Sequence, residues 1–161
     1  MISMKEKDFK IRKLKNIKKD RDILLCFDNK LGDYEKTLEP GLIKTERIIY
    51  NNIPKVLSDR NCLVLVLEEK DVPIGYIVGK LKKFPKCWKD KKYGYIECIY
   101  IEPKFRGKNL GFTLFSKVKE WFNKNGCKSI RLRVFANNQS AISKYKKWGF
   151  KNNIIIMSSL N

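Results

Sequence analysis

The sequence predicts an α/β (α+β) fold: a mixed, mostly antiparallel central sheet of six to seven strands flanked by about four helices. Two apolar runs separated by Lys70-Asp71-Val72-Pro73 read as a β-hairpin. The second half alternates the two hydrophobic periods, in the order strand, helix, strand, helix, strand. The chain has 161 residues and is 43% hydrophobic, enough to bury a core, and a single domain over residues 1–161 is expected.

Taken in order, Phe9 to Leu14 alternates apolar and basic residues and reads as an opening strand. Asn16 to about Tyr34 reads as a helix ending in a turn at Gly32-Asp33. After a break at Pro40-Gly41, Leu42 to Leu57 reads as a second helix that Pro54 disturbs late. Cys62 to Leu67 and Ile74 to Leu81 are the hairpin strands, and the Lys-rich Phe84 to Tyr93 is an exposed loop. Tyr95 to Ile101 is a strand stopped by Glu102-Pro103. Leu110 to Asn125 is a helix whose Leu110, Leu114, Phe115, Val118, Trp121 and Phe122 share one face, with Gly126 as its C-terminal cap. Ser129 to Phe135 is a strand, Gln139 to Trp148 a helix, and Phe150 to Ser159 one or two closing strands.

Composition excludes several functions. The five cysteines, Cys26, Cys62, Cys87, Cys98 and Cys127, are odd in number and form no C-x-x-C, which argues against a disulfide framework. There is no histidine, which excludes His-based triads and zincin motifs, and no metal site is expected. The charged start, Met1 to Lys7, lacks the apolar run of a signal peptide, and Cys62 to Leu67 is too short an apolar run to span a membrane. A cytoplasmic protein with no membrane partner is the expectation. The net charge of +19 admits a nucleic-acid or other anionic partner. Only seven of the 36 basic residues are arginine and the lysines are spread end to end, so a lysine-rich composition is the preferred explanation over a nucleic-acid partner.

The chemistry concentrates after the strand ending at Ile101. There a Pro-containing turn leads into Arg106-Gly107-Lys108-Asn109-Leu110-Gly111, which opens a helix. A helix N-terminus presents backbone N–H groups and partial positive charge, glycines allow close approach, and Arg106 and Lys108 add charge. Such a loop suits phosphate, and on its own it equally suits a turn with solvated basic residues.

This loop fits R/Q-x-x-G-x-G/A except at Asn109, and Asn138 to Phe150 fits N-x-x-A-x-x-x-Y-x-x-x-G-F at every fixed position. In both segments the chain resembles the GNAT family, the GCN5-related N-acetyltransferases. The resemblance covers about residues 62 to 150, while the first sixty match only in element order. It implies an acetyl-CoA-dependent N-acetyltransferase, with acetyl-CoA as acyl donor and a small-molecule or protein amine as acceptor, attacked directly by a neutral amine. Family members are often dimers, so a homodimer is a further expectation. The resemblance implies that backbone N–H groups from Gly107 through Lys108, Asn109 and Leu110 to Gly111 hold the pyrophosphate, beside Arg106. The pantetheine arm would lie along the strand holding Ile99 and Ile101, and Asn138 would contact the cofactor. One departure stands out: the middle glycine is Asn109, which tolerates a left-handed backbone better than most residues.

For catalysis the resemblance assigns Tyr145 as general acid toward the thioester sulfur; its place on an apolar helix face equally suits a core aromatic. Glu97 is the candidate base. By strand alternation it points the same way as Ile99 and Ile101, and a cross-strand ion pair with Lys80 or Lys82 is the competing reading. A backbone N–H near Ile101 is the candidate oxyanion donor. Glu102 reads as a solvated turn residue and Trp88 as a half-buried anchor. Asp28, Asp33, Tyr34 and Glu35, where the family's acceptor-lining segment falls, read as a solvated helix end. The overall charge would repel polycationic acceptors such as polyamines. Two alternatives stay open: a basic nucleic-acid- or ribosome-associated binding protein, and a CoA-binding protein without catalysis.

Overall fold

The structure, a computed structural model, describes residues 9–39, 41–42 and 52–159. Its elements are β1 (Phe9–Lys13), α1 (Lys18–Leu38), α2 (Ile53–Ser58), β2 (Cys62–Glu69), β3 (Val72–Lys83), β4 (Lys92–Ile101), α3 (Leu110–Lys124), β5 (Ile130–Leu132) and α4 (Gln139–Lys147), with a single 3₁₀ turn at Pro103–Phe105. The five strands form one sheet in sequence order. β1 through β4 pair antiparallel, and β5 joins β4 in parallel.

The sheet is buried on both faces, which is why β2 is apolar at nearly every position rather than alternating. On one face, Val64, Val66, Tyr76, Val78, Cys98 and Tyr100 pack with Leu24, Phe27 and Leu31 of α1 and Val56 of α2. On the other, Leu65, Leu67, Ile77 and Ile96 pack with Leu114, Phe115, Val118 and Phe122 of α3. Phe122 approaches because Gly79 and Gly94 leave room: a Cβ on Gly94 would sit 2.4 Å from the Phe122 ring. The start of α1 is clasped to the sheet by Arg12, which donates to Asp20 at 2.9 Å and to Glu68 at 2.7 Å.

Several expectations need correction. α1 does not turn at Gly32-Asp33 but runs on to Leu38. Glycine costs a helix about 1 kcal/mol against alanine, and the buried face of Leu24, Phe27 and Leu31 overrides it. Of the predicted helix Leu42 to Leu57, residues 43–51 lie outside the described residues, as does Pro40; in α2, Pro54 sits in the first turn, where its missing N–H costs nothing. The hairpin turn is tighter than expected, with Lys70 and Asp71 both at positive φ (49° and 63°) and β3 starting at Val72. The sheet has five strands among the described residues rather than six or seven. β5 keeps only three residues of the predicted seven because it parts from β4 beyond Leu132. Residues 150–159 form no strand among the described residues. β propensity needs a face to pack on, and Ile154 and Met157 are 72% and 89% exposed.

Candidate active site

The loop before α3 turns through two residues of positive φ, a backbone that could hold a phosphate. Gly107 has φ 82°, and Asn109 sits in the left-handed region at φ 60°, ψ 11° as the N-cap of α3. Asparagine is the usual helix cap, yet this side chain makes no capping bond. The Phe112 N–H donates to the Asn109 carbonyl at 3.0 Å, while the N–H groups of Leu110 and Gly111 before it have no intrahelical acceptor and are left to whatever binds there. A side chain at Gly111 would meet Trp148, with a Cβ already 3.4 Å from the indole. Arg106 does more than add charge: its Nε donates to the Ile101 carbonyl at 2.8 Å, and its guanidinium lies 5.4 Å from the Tyr100 ring and 5.7 Å from that of Tyr34. Lys108 lies 5.5 Å from the Phe105 ring.

β4 leads to this loop and changes character along its length. Its ladder with β5 covers only Gly94 to Ile96. The register against β3 shifts at the same level: Gly79 faces Ile96 and Val78 faces Cys98, so Glu97 is an extra, bulged residue. Beyond it β4 runs on beside β3 but parts from β5. Ile99 and Ile101 lean toward the α3 face, while Cys98 and Tyr100 lean toward α1.

The bulge corrects the orientation expected for Glu97. Alternation would place it with Ile99 and Ile101. Instead it reaches Lys80 at 3.3 Å and Lys82 at 3.9 Å, and these lysines alternate with Gly79, which faces α3. Glu97 therefore lies on the α1 face. The cross-strand ion pair exists, with the two side chains 14% (Lys80) and 11% (Glu97) exposed. It is poorly aligned: Lys80 Nζ and Glu97 Oε2 are buried and make no hydrogen bond among the described residues.

α4 brings Tyr145 to the same place. The phenol is pushed up to about 12, first by burial and then by Cys98 of β4 and Glu35 and Tyr34 of α1. Its ring stands edge-on to Trp148 at 5.5 Å and Phe150 at 5.9 Å, so the aromatic packing is real, and the hydroxyl end still faces β4 and α1. Asn138 caps α4, its Oδ1 accepting from the Ala141 N–H at 3.2 Å and from the Tyr34 hydroxyl at 3.3 Å. Its place before the helix could have revealed this cap in the sequence.

The remaining candidates divide. Tyr34 and Glu35 join the Tyr145 cluster, whereas Asp33 is exposed and pairs with Lys36. Asp28 is buried and accepts from the Tyr76 hydroxyl at 3.3 Å, a core contact rather than a solvated helix end. Glu102 is not a free turn residue, since it pairs with Lys30. Trp88 is 46% exposed and stacks on Phe84 at 4.7 Å. Sequence reasoning missed Arg133, whose charge lies beside the Tyr95 phenol. Its alternation with Arg131 after the helix cap was the available signal.

The phosphate-type loop, the parting of β4 from β5 and the half-buried Tyr145 thus meet at the C-terminal half of β4. The sequence model described as "Acetyltransferase (GNAT) family" matches residues 27–150. The chain belongs to the acetyltransferase (GNAT) family. The enzyme class expected from the sequence, an N-acetyltransferase, follows with it. Thialysine N-epsilon-acetyltransferase of Bos taurus is 37% identical over 130 residues, covering 78% of this chain and 75% of that protein. N-alpha-acetyltransferase 30 of Xenopus laevis is 30% identical over 112 residues, covering 70% of this chain but 37% of that protein. Among solved structures, a mutant BH1408 protein of Bacillus halodurans superposes with a TM-score of 0.83 at 17% identity, covering 94% of this chain and 99% of that one. A predicted acetyltransferase of Clostridium acetobutylicum, solved with acetyl-CoA, gives 0.74 at 20% identity, covering 95% and 96%. Both share the fold. No helix among the described residues is long and apolar enough to cross a membrane.

Proposed function

We propose that this protein, acting as one domain, transfers an acetyl group from acetyl-CoA to a primary amine. The observation that carries the reading is the left-handed Asn109, which opens α3 with its N–H groups uncapped at the end of β4. The residues present fit the donor: Gly107 to Gly111 would hold the pyrophosphate by backbone N–H groups, Ile99 and Ile101 would flank the pantetheine arm, and Asn138 lies at the head of α4. Acetyl-CoA supplies an activated acetyl group and a thiolate leaving group. The names of the two relatives support both a small-molecule amine and a protein amine as acceptor.

Glu97 receives the proton that the acceptor ammonium must lose before attack, directly or through water. Tyr145 donates its phenolic proton at the sulfur and recovers one from solvent. Because burial holds its pKa near 12, the phenol stays protonated across the working range. A backbone N–H near Ile101 donates to the acyl oxygen. The test is binding and thiol release: wild type should bind acetyl-CoA and release CoA thiol with at least one amine of a panel. Arg106→Ala combined with Gly111→Asp should lose binding, by untying the loop from Ile101 and pushing a carboxylate against Trp148 and the phosphate. Unchanged binding in that variant would defeat the site assignment.

A further inference from the structure

The α1 face of the sheet beyond Glu97 is strongly cationic. Lys80 and Lys82 converge on the single Glu97 carboxylate. Lys82 Nζ stands 3.5 Å from the Tyr95 ring centroid, and Arg133, two residues past the β5 position that faces Tyr95, adds positive charge beside that same phenol. Asp59 and Asp90, the carboxylates flanking this region, are engaged elsewhere: Asp59 accepts from the Asn61 N–H at 2.8 Å, and Asp90 faces Lys128 at 3.9 Å. Lys80 and Lys82 therefore share one carboxylate, with Arg133 close enough to Lys82 to act on it. Lys82 registers the imbalance: its pKa is lowered, by burial first and then by Lys80 and Arg133, against the pull of Glu97.

Two partly buried lysines on one carboxylate, with an exposed arginine beside them, call for a further anion. The patch lies on the side of Glu97 away from Cys98 and Tyr145, where the far end of an acceptor would rest with its amine at Glu97. We propose that Lys82 and Arg133, backed by Lys80, form a subsite for a carboxylate carried by the acceptor, so that the substrate class is an amino acid with a side-chain amine rather than a polyamine. The proposal rests on the transferase reading above. The same potential favours the neutral form of an incoming amine, which is the form that attacks, and repels a second ammonium group at the subsite.

The experiment compares kcat/KM for L-lysine, S-(2-aminoethyl)cysteine, lysinamide and cadaverine by CoA thiol release, in wild type and in Lys82→Gln/Arg133→Gln. Wild type should favour the two carboxylates over lysinamide and cadaverine by at least about tenfold, the size expected for a charge-assisted pair. The double variant should bring that ratio toward one. Cadaverine or lysinamide used as well as lysine by wild type, or a ratio that survives the double substitution, overturns the subsite and leaves the transferase reading standing. Thiol release with none of the four fails the transferase reading for these amines; calorimetric titration of the CoA-loaded protein then decides the subsite alone, supporting it if lysine binds in preference to cadaverine and overturning it if not.

Discussion

From Lys92 to Ile96, β4 is scaffold. It pairs with β3 throughout and with β5 from Gly94 on, and Gly94 lies flat beneath Phe122. From Glu97 to Ile101 the ladder with β3 continues, the one with β5 does not, and charged and titratable groups gather: Glu97 in the strand, Tyr145 beside Cys98, and Arg106 at the Ile101 carbonyl. One extra residue, Glu97, separates the halves. A single strand can thus be rigid enough to position a site and open enough to contain one, provided that a bulge divides the two tasks.

That contrast predicts that damage to the first half costs stability and damage to the second costs turnover. The largest effect is expected for Phe122→Ala, which empties the space over Gly79 and Gly94 and should lower stability by about 3–5 kcal/mol in urea unfolding; a loss below ~1 kcal/mol would show that this half is not the packed scaffold described. Next comes Tyr145→Phe, which keeps the ring contacts with Trp148 and Phe150 and removes only the hydroxyl. It should reduce kcat on the order of 10³-fold with melting temperature unchanged, and wild-type turnover at saturating substrates would end the acid assignment. Glu97→Gln should cost on the order of 10²-fold at neutral pH and abolish the acidic limb of the pH–rate profile. Identical limbs in variant and wild type would reduce Glu97 to its ion pair with Lys80. The smallest effect belongs to Asn109→Ala, which strains the left-handed N-cap by about 1–2 kcal/mol and should raise the KM for acetyl-CoA several-fold, whereas Asn109→Gly should not raise it.

The sequence showed much of this. The two motifs placed α3, α4 and the phosphate-type loop to within a residue or two, and Asn109 has the positive φ that its place in the signature called for. Local rules sufficed there because helix periodicity and turn chemistry are local. They failed where tertiary packing decides. Alternation put Glu97 on the wrong face because a bulge leaves no mark in a single sequence. Gly32-Asp33 resembles a turn until the buried face of α1 is known. The apolar run Ile154 to Met157 has strand composition and no strand.

The bond from Arg106 to the Ile101 carbonyl makes the phosphate cradle and the end of β4 mechanically one piece. A donor anchored at one end of such a piece is measured from that end, as against the stop of a ruler. On the proposed mechanism, any carbon added to the acyl group would project into the space on the Glu97 side, where that mechanism puts the amine. The enzyme would discriminate between donors through crowding of the acceptor, so that propionyl and longer thioesters still bind but lose turnover in step with the size of the amine offered.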